Sequence, residues 1–296
     1  MLDYIFLIST VFTSASISLF CSAYNRKNEG KRDIQPMYNL IFMSIVVPLW
    51  GIMWLIDGGE FCAQVLPYSL IFGIGYAGAA IGMIGAIKNG PVALTNLIFQ
   101  LSLIGTTIWG FIFWNDPVDI KVITGLILVV LSLFFCLYTK KNDSGNKFSI
   151  KWLIYMAIAF FGNATATICQ KTQQMSFVDA SGNGMYGGML MFFATLLAFA
   201  ICLISYLRSD RSDSASIVKT SGIIPLLAGA LNVLNCYLVI LLSTSALSPS
   251  LIYPVIGVGA MMVVTLFSVF VLKEKITKTQ WLGLVLGAVA TVLLSL

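Results

Sequence analysis

SPSLIYPVIGVGAMMVVTLFSVFVLKEK (248–275), followed by ITKTQWLG (276–283), is the passage from which the fold is read. A proline-bearing apolar run ends in a short charged hinge, and a second apolar run begins beyond it. The chain carries the same pattern 158 residues earlier, without a gap: Pro91 stands for Pro249, Asp116 for Glu274, Gly125 for Gly283, and Pro67 for Pro225. Nearer the start of each half the shift becomes 148, pairing Cys21 with Cys169, Met37 with Met185, Tyr38 with Tyr186 and Met43 with Met191. The change of shift falls where the gap after residue 207 (208–220) is longer than its counterpart (57–65). Single apolar matches are cheap in such a chain. The shared spacing of prolines, acid and glycine is not, and it points to a duplication.

Working outward, 58% of the 296 residues are hydrophobic and only 10% are charged, against roughly 25% charged in soluble domains. The mean hydropathy is +0.93. Too few charges remain to wet the surface of a soluble protein of this size. Apolar runs of about 20 residues cross a bilayer as helices, and lipid offers no partner to exposed backbone. Ten such spans are expected, at 3–24, 36–56, 66–87, 91–113, 119–138, 150–172, 184–207, 221–242, 249–272 and 278–296. The fold class is therefore all-α integral membrane, with ten transmembrane helices in two inverted five-helix repeats. An odd number of spans per half makes the second copy enter the membrane from the opposite side, as in many secondary transporters. The first run starts at Leu2 with Asp3 in place of a basic leader and reads as a span, not a cleaved signal.

No histidine is present, which removes Ser-His and Cys-His catalysis and histidine-held metals. The six cysteines, Cys21, Cys62, Cys136, Cys169, Cys202 and Cys236, form no CxxC pair and read as small core residues. No cofactor is expected, and an enzyme lacks its parts. No GxxxxGK[ST] loop supports ATP-driven transport. All twelve acidic residues lie in the gaps or at span ends, so no mid-membrane carboxylate stands ready to couple protons. Fifteen of the 17 basic residues fall in the gaps after spans one, three, five, seven and nine, leaving only Lys121 and Lys171 opposite. By the positive-inside rule that basic side is cytoplasmic and both termini face outward. Position thus accounts for the net charge of +5, and nucleic acid is not an expected partner.

On ALSPSLIYP (246–254), LKEKIT (272–277) and QWLGLVLG (280–287) the chain resembles the second EamA-type domain of the drug/metabolite transporter superfamily. Glu274, Gln280, Gly283 and Gly287 fit its motif. The first copy departs from it, with Asp116 for the usual Glu, Val122 in the place of Gln280, and Pro117 in the hinge. The resemblance implies residues 1–138 as one five-helix repeat, 139–149 as a cytoplasmic linker and 150–296 as the second repeat. It also implies a ten-helix carrier moving a small metabolite or drug-like solute by alternating access. It names no solute, because the superfamily carries many. Its members often keep their termini in the cytoplasm, whereas the charges of this chain place them outside. The expected partners are a small-molecule solute and the lipid bilayer, and the expected location is the cell (inner) membrane, multi-pass. A non-transporting or channel-like protein on the same fold is the alternative.

Polar side chains inside spans are the candidate substrate contacts. Asn96 and Gln100 share a face of span four, and Asn232 and Asn235 a face of span eight. Asn163 and Gln170 lie in span six, and Tyr253 in span nine. Amides donate and accept, which suits hydroxyl, amide or zwitterionic solutes. Each could equally tie one helix to the next; as a set they read as one shared polar cavity. Pro48, Pro67, Pro91, Pro225, Pro249 and Pro254 each remove a donor and either open or bend a helix. Gly73, Gly75, Gly78, Gly82 and Gly85 give span three a small-residue face for close packing or sliding. Trp109 and Trp114 read as interfacial anchors. Lys88 and Lys171, at span ends, read as snorkelling cations. Asp116 and Glu274 read as helix-end charges or gating groups.

Overall fold

The apolar runs wind into helices because a helix satisfies its own backbone where no water can. The computed structural model describes residues 2–28, 30–89, 92–115, 118–137, 150–178, 185–270 and 278–295. Among them are eleven α-helices: α1 (Leu2–Lys27), α2 (Ile34–Ile56), α3 (Leu66–Asn89), α4 (Val92–Phe113), α5 (Ile120–Leu137), α6 (Ile150–Ser176), α7 (Gly187–Leu207), α8 (Ser214–Ser221), α9 (Ile223–Ser243), α10 (Pro249–Phe270) and α11 (Lys278–Ser295). A 3-10 turn, Ala63–Val65, precedes α3, and no strand occurs among the described residues. Among the described residues six stretches are long and apolar enough to cross a membrane: α1, α2, Ala63–Met83 at the start of α3, α6, α7 and α9. In α4, α5, α10 and α11 the described apolar stretches are shorter. The chain is an all-α, multi-pass integral membrane protein.

One helix was not expected. The sequence reads 208–220 as a solvated loop, yet Ser214–Ser221 is helical. Ser214, Ile217 and Ser221 are buried while the residues between them are exposed. That i, i+3, i+7 spacing makes a single apolar contact, Ile217, sufficient to hold two turns against the bundle. One isoleucine in a charged gap is too little for a periodicity to register, and no side-chain cap marks the start.

The packing is built from a few pairs. The helix α3 lies on α6 and α7, α2 on α7 and α9, α1 on α9 and α10, α4 on α6 and α10, and α5 on α11. Apolar side chains gain little by leaving lipid for protein, so close approach decides such contacts. A Cβ at Gly75 would lie 2.8 Å from the Gly162 carbonyl, and one at Gly82 2.5 Å from the Ala159 nitrogen. One at Gly73 would lie 2.7 Å from the Ala194 carbonyl of α7. The glycine face of α3 is thus wedged against backbone on two sides. Gly78 has room, its nearest neighbour being Ile158 at 3.7 Å.

Gly283 and Gly287 have a similar reason. Ser132 of α5 donates to the Gly283 carbonyl at 2.7 Å, and a Cβ at Gly287 would meet the same hydroxyl at 2.7 Å. The main core joins Tyr24, Met43, Trp50, Met191, Ala194 and Ala228 across α1, α2, α7 and α9. Pro67 and Pro225 sit in the first turns of α3 and α9, and Pro249 opens α10, where a missing donor costs nothing. Pro48 and Pro254 lie inside α2 and α10.

Two ends can be told apart. At one, Asn28 after α1 meets Ser221 before α9, beside Lys31, Arg32, Arg208 and Lys219. At the other, Lys171 near the end of α6 meets Ser243 at the end of α9, and the loop after α2 carries Asp57 and Glu60. We call them the basic and acidic ends.

Candidate functional site

A crevice of about 280 Å³ opens at the acidic end where α2, α7 and α9 meet. Trp54, Asp57 and Glu60 come from the end of α2 and the loop after it. Met185 to Met189 come from the start of α7, and Tyr237, Ile240 and Leu241 from α9. Both charged side chains lining it are carboxylates. Gly187 and Gly188 give it depth: a Cβ at Gly188 would lie 2.7 Å from Asp57 Oδ2 and 2.9 Å from Trp54 Cα. Asp57 therefore sits over the first turn of α7, a favourable place for a carboxylate. Loss of water nevertheless raises its pKa above the usual 3.8. The pKa of Tyr186 is also raised, first by loss of water and then by the nearby Glu60 carboxylate. Tyr186 holds a left-handed backbone, φ 58°, a conformation costly for a bulky residue and often kept at functional sites. The Trp54 indole donates to the Glu60 carbonyl at 2.9 Å and pins the rim.

Below the crevice the polar groups continue inward. Gln174 is fully buried; its Nε2 lies 3.1 Å from the Cβ position of Gly187, behind the crevice wall. It donates to Gln173 Oε1 at 2.5 Å, and Gln173 donates to the Met185 carbonyl at 2.9 Å. Gln174 Oε1 has no partner among the described residues. One turn below Trp54, Trp50 is fully buried and its indole N–H also lacks a partner among the described residues. One helical turn deeper on α6, Gln170 donates to the Cys236 carbonyl at 3.4 Å. One turn before Cys236, Asn232 accepts from the Tyr76 hydroxyl at 2.8 Å. A polar track thus runs from the crevice into the core, with one unpaired acceptor and one unpaired donor along it. Buried groups of this kind each cost about 1–3 kcal/mol and call for an explanation.

The candidate residues from sequence divide on this geometry. Gln170 and Asn232 lie on the track, meeting at Cys236, whose sulfur also lies 3.8 Å from Asn232 Oδ1. Asn235 turns to α1, donating to the Thr10 carbonyl at 3.1 Å and to Thr13 and Ser14 hydroxyls at 2.8 and 2.7 Å. Asn163 donates to Ser102 of α4 at 2.7 Å, on a seam that also pairs Thr106 with Thr167 at 2.6 Å. Tyr253 is buried in a separate apolar cluster with Leu7, Leu242 and Ile256. The side chains of Asn96 and Gln100 lie outside those described, as do Lys88, Pro91, Asp116, Glu274 and Gln280. The structure therefore gathers two of the seven around the track and sets three at other helix seams.

Lys171 differs from its expectation. It is buried, its Nζ donates to the Ser243 carbonyl, and it lies 6.0 Å from the Trp114 ring. Packing of α6 against α9 and α4 buries it where a span-end cation was expected to reach water. Trp114 correspondingly packs inward on the start of α10, while Trp109 remains exposed and stacks on Phe113 at 4.1 Å. Sequence reasoning passed over Trp50, Trp54, Asp57, Tyr76, Gln173, Gln174 and Tyr237. One signal was present: Gln170, Gln173 and Gln174 stand at i, i+3, i+4 and share a helix face.

Known proteins bear on this arrangement. Residues 150–296 match the model of the EamA-like transporter family. An uncharacterized protein of Haemophilus influenzae strain Rd is 24% identical over 220 residues, 74% of this chain and 72% of its own length. A solved crystal structure superimposes with a TM-score of 0.71 over 98% of this chain and 95% of that one, at 12% identity. That likeness bears on the fold alone.

Proposed function

We propose, from the match of residues 150–296 to the EamA-like transporter family, that the chain is a secondary carrier of that family. It moves a small solute by alternating access, through ten spans arranged as two inverted five-helix repeats, 1–138 and 150–296, joined by 139–149. The observation that carries the reading is the polar track. A crevice at one end leads to an unpaired acceptor, an unpaired donor and the Gln170, Asn232 and Tyr76 groups.

The packing supports the repeat. Exchange α1 with α6, α2 with α7, α3 with α9, α4 with α10 and α5 with α11. The α3–α6 pair becomes α9–α1, α3–α7 becomes α9–α2, and α1–α10 becomes α6–α4, all of which occur. The pairs α2–α7, α4–α10 and α5–α11 map onto themselves. A two-fold axis in the membrane plane requires such self-paired helices to run antiparallel. In α2–α7, Gly51 and Trp54 meet Phe192 and Gly188 in descending order. In α5–α11, Ser132 meets Gly283 while Val129 clusters with Ala290.

The crevice also bears on the solute. Its two charges are negative, and Trp54, Tyr186 and Tyr237 present aromatic rings. Carboxylates with ring faces suit a positively charged group. The solute read from this site carries an amine or another cationic group, with an apolar body for Met189, Ile240 and Leu241. Purified protein in proteoliposomes, tested by counterflow against amines, amino acids, sugars and nucleosides, examines this. Saturable exchange of cationic solutes supports the carrier. Solute-independent conductance replaces it with a channel.

A further inference from the structure

Helix α8 has no counterpart in the first half, where the gap 57–65 holds only a turn. It is the segment at which the shift between the halves grows from 148 to 158. With the turn before it (208–213), it bonds to the loop between α1 and α2 at the basic end, and the helix itself also packs on α1, α2 and α9. Arg32 pairs with Asp210 at 2.9 Å, and the Arg32 backbone N–H donates to Asp213 Oδ2 at 2.8 Å. Lys31 Nζ bridges Asn28 Oδ1 at 3.2 Å and Ser216 Oγ at 3.1 Å. Beneath these, buried Asn28 donates to Ser221 Oγ at 2.6 Å and to the Tyr24 carbonyl at 2.9 Å. Ile217, fully buried, inserts into the core cluster that contains Tyr24.

We propose that α8 is a latch that closes the basic end of the carrier and holds it in the form whose crevice faces the acidic end. The proposal rests on the carrier reading and adds the device that biases its two states. Three features make a latch of it. Its contacts join α1–α2 to α7–α9, elements that the duplication assigns to different halves, so opening the basic end must break them. Its outer layer is an exposed ion pair, with side chains 76% and 58% accessible. Such a pair contributes little in water and yields without a large barrier. Its inner layer is one buried isoleucine and one buried amide, few enough for the helix to lift as a unit. At the acidic end the equivalent gap has no such helix, and there the crevice is found.

Ser214 reports on it. Ser214 is buried, and its hydroxyl has no partner among the described residues, so Ser214→Cys leaves the latch contacts intact. Membrane-impermeant maleimide is applied to purified protein, with the protein lacking this substitution correcting for native cysteines. Slow labelling of Cys at 214 is expected. Arg32→Ala or Asp210→Ala is expected to raise the rate about fivefold, and the exchanged pair Arg32→Asp with Asp210→Arg to restore it. Fast labelling in the parent, or single variants that label no faster, overturns the latch. If the exchanged pair labels as fast as the single variants, the ion pair is not the fastening and the proposal also fails. Labelling needs no solute. Absent solute exchange in the parent therefore removes the carrier reading, whereas unchanged labelling with intact exchange removes the latch alone.

Discussion

At Asp57 one side chain meets two opposing influences. The first turn of α7 favours its charge, while loss of water beside Gly188 and Trp54 disfavours it, and the net effect raises its pKa. The protonated form is then the one the fold favours. Asp57 contributes stability at acid pH that is lost as pH rises through its raised value. Capture of a cation needs the ionised form, so affinity falls as pH drops through the same range. Asp57→Asn is expected to keep the fold, weaken capture of a cationic solute about tenfold at neutral pH, and flatten the acid limb; counterflow at several pH values measures this. Trp50 sets a second test. Its indole N–H is buried and has no partner among the described residues. Trp50→Phe removes a costly donor along with some packing, so stability is expected to change by no more than about 1 kcal/mol. Solute affinity is expected to fall several-fold. A large loss of Tm with unchanged affinity would make Trp50 a packing residue only. Of these side chains the sequence displayed identity but not pairing: nothing local says that a glutamine at 174 has an unmatched oxygen while its neighbour at 173 is bonded.

Among the elements, α3 is the most constrained. Gly82 lies against the α6 backbone, whereas Gly78 faces only Ile158. Gly82→Ala is expected to cost about 1–3 kcal/mol, because backbone cannot step aside as a side chain can. Gly78→Ala is expected to be close to neutral. Thermal unfolding in detergent of the two variants checks the contrast, and equal losses would show that the glycine face is not wedged. The sequence made the glycine stripe legible, and close packing was one of its two readings. Which glycines bear the contact depended on where α6 and α7 lie. Helix bounds were legible for a related reason. Long apolar runs end where charges and prolines begin, so hydropathy alone marks them. The exception, α8, depends on one buried side chain whose partners are distant in sequence.

For the molecule as a whole, the basic and acidic ends make a prediction about sidedness. Lys219 is exposed on α8 and Glu60 is exposed beyond α2. With the basic end cytoplasmic, an impermeant thiol reagent added to intact cells is expected to label Glu60→Cys and spare Lys219→Cys. The reverse result would turn the protein over, and equal labelling would deny that the two residues lie on opposite sides. By itself the sequence determined that this chain lives in a membrane as helices, close to where the described helices begin and end, and that its second half carries the motif of a transporter family. These follow from composition, length and spacing, which are local and additive. Only the tertiary structure decided the rest. The stretch 248–283 carried the sequence's clearest sign of an expected duplication, yet Tyr253 within it lies in an apolar cluster, while the crevice formed from α2, α7 and α9. Asn163 and Asn235 bond helix seams while Gln170 and Asn232 meet on a track, although all four are amides in apolar runs. An amide in lipid must find a partner, and which partner is settled by the helix that packs against it.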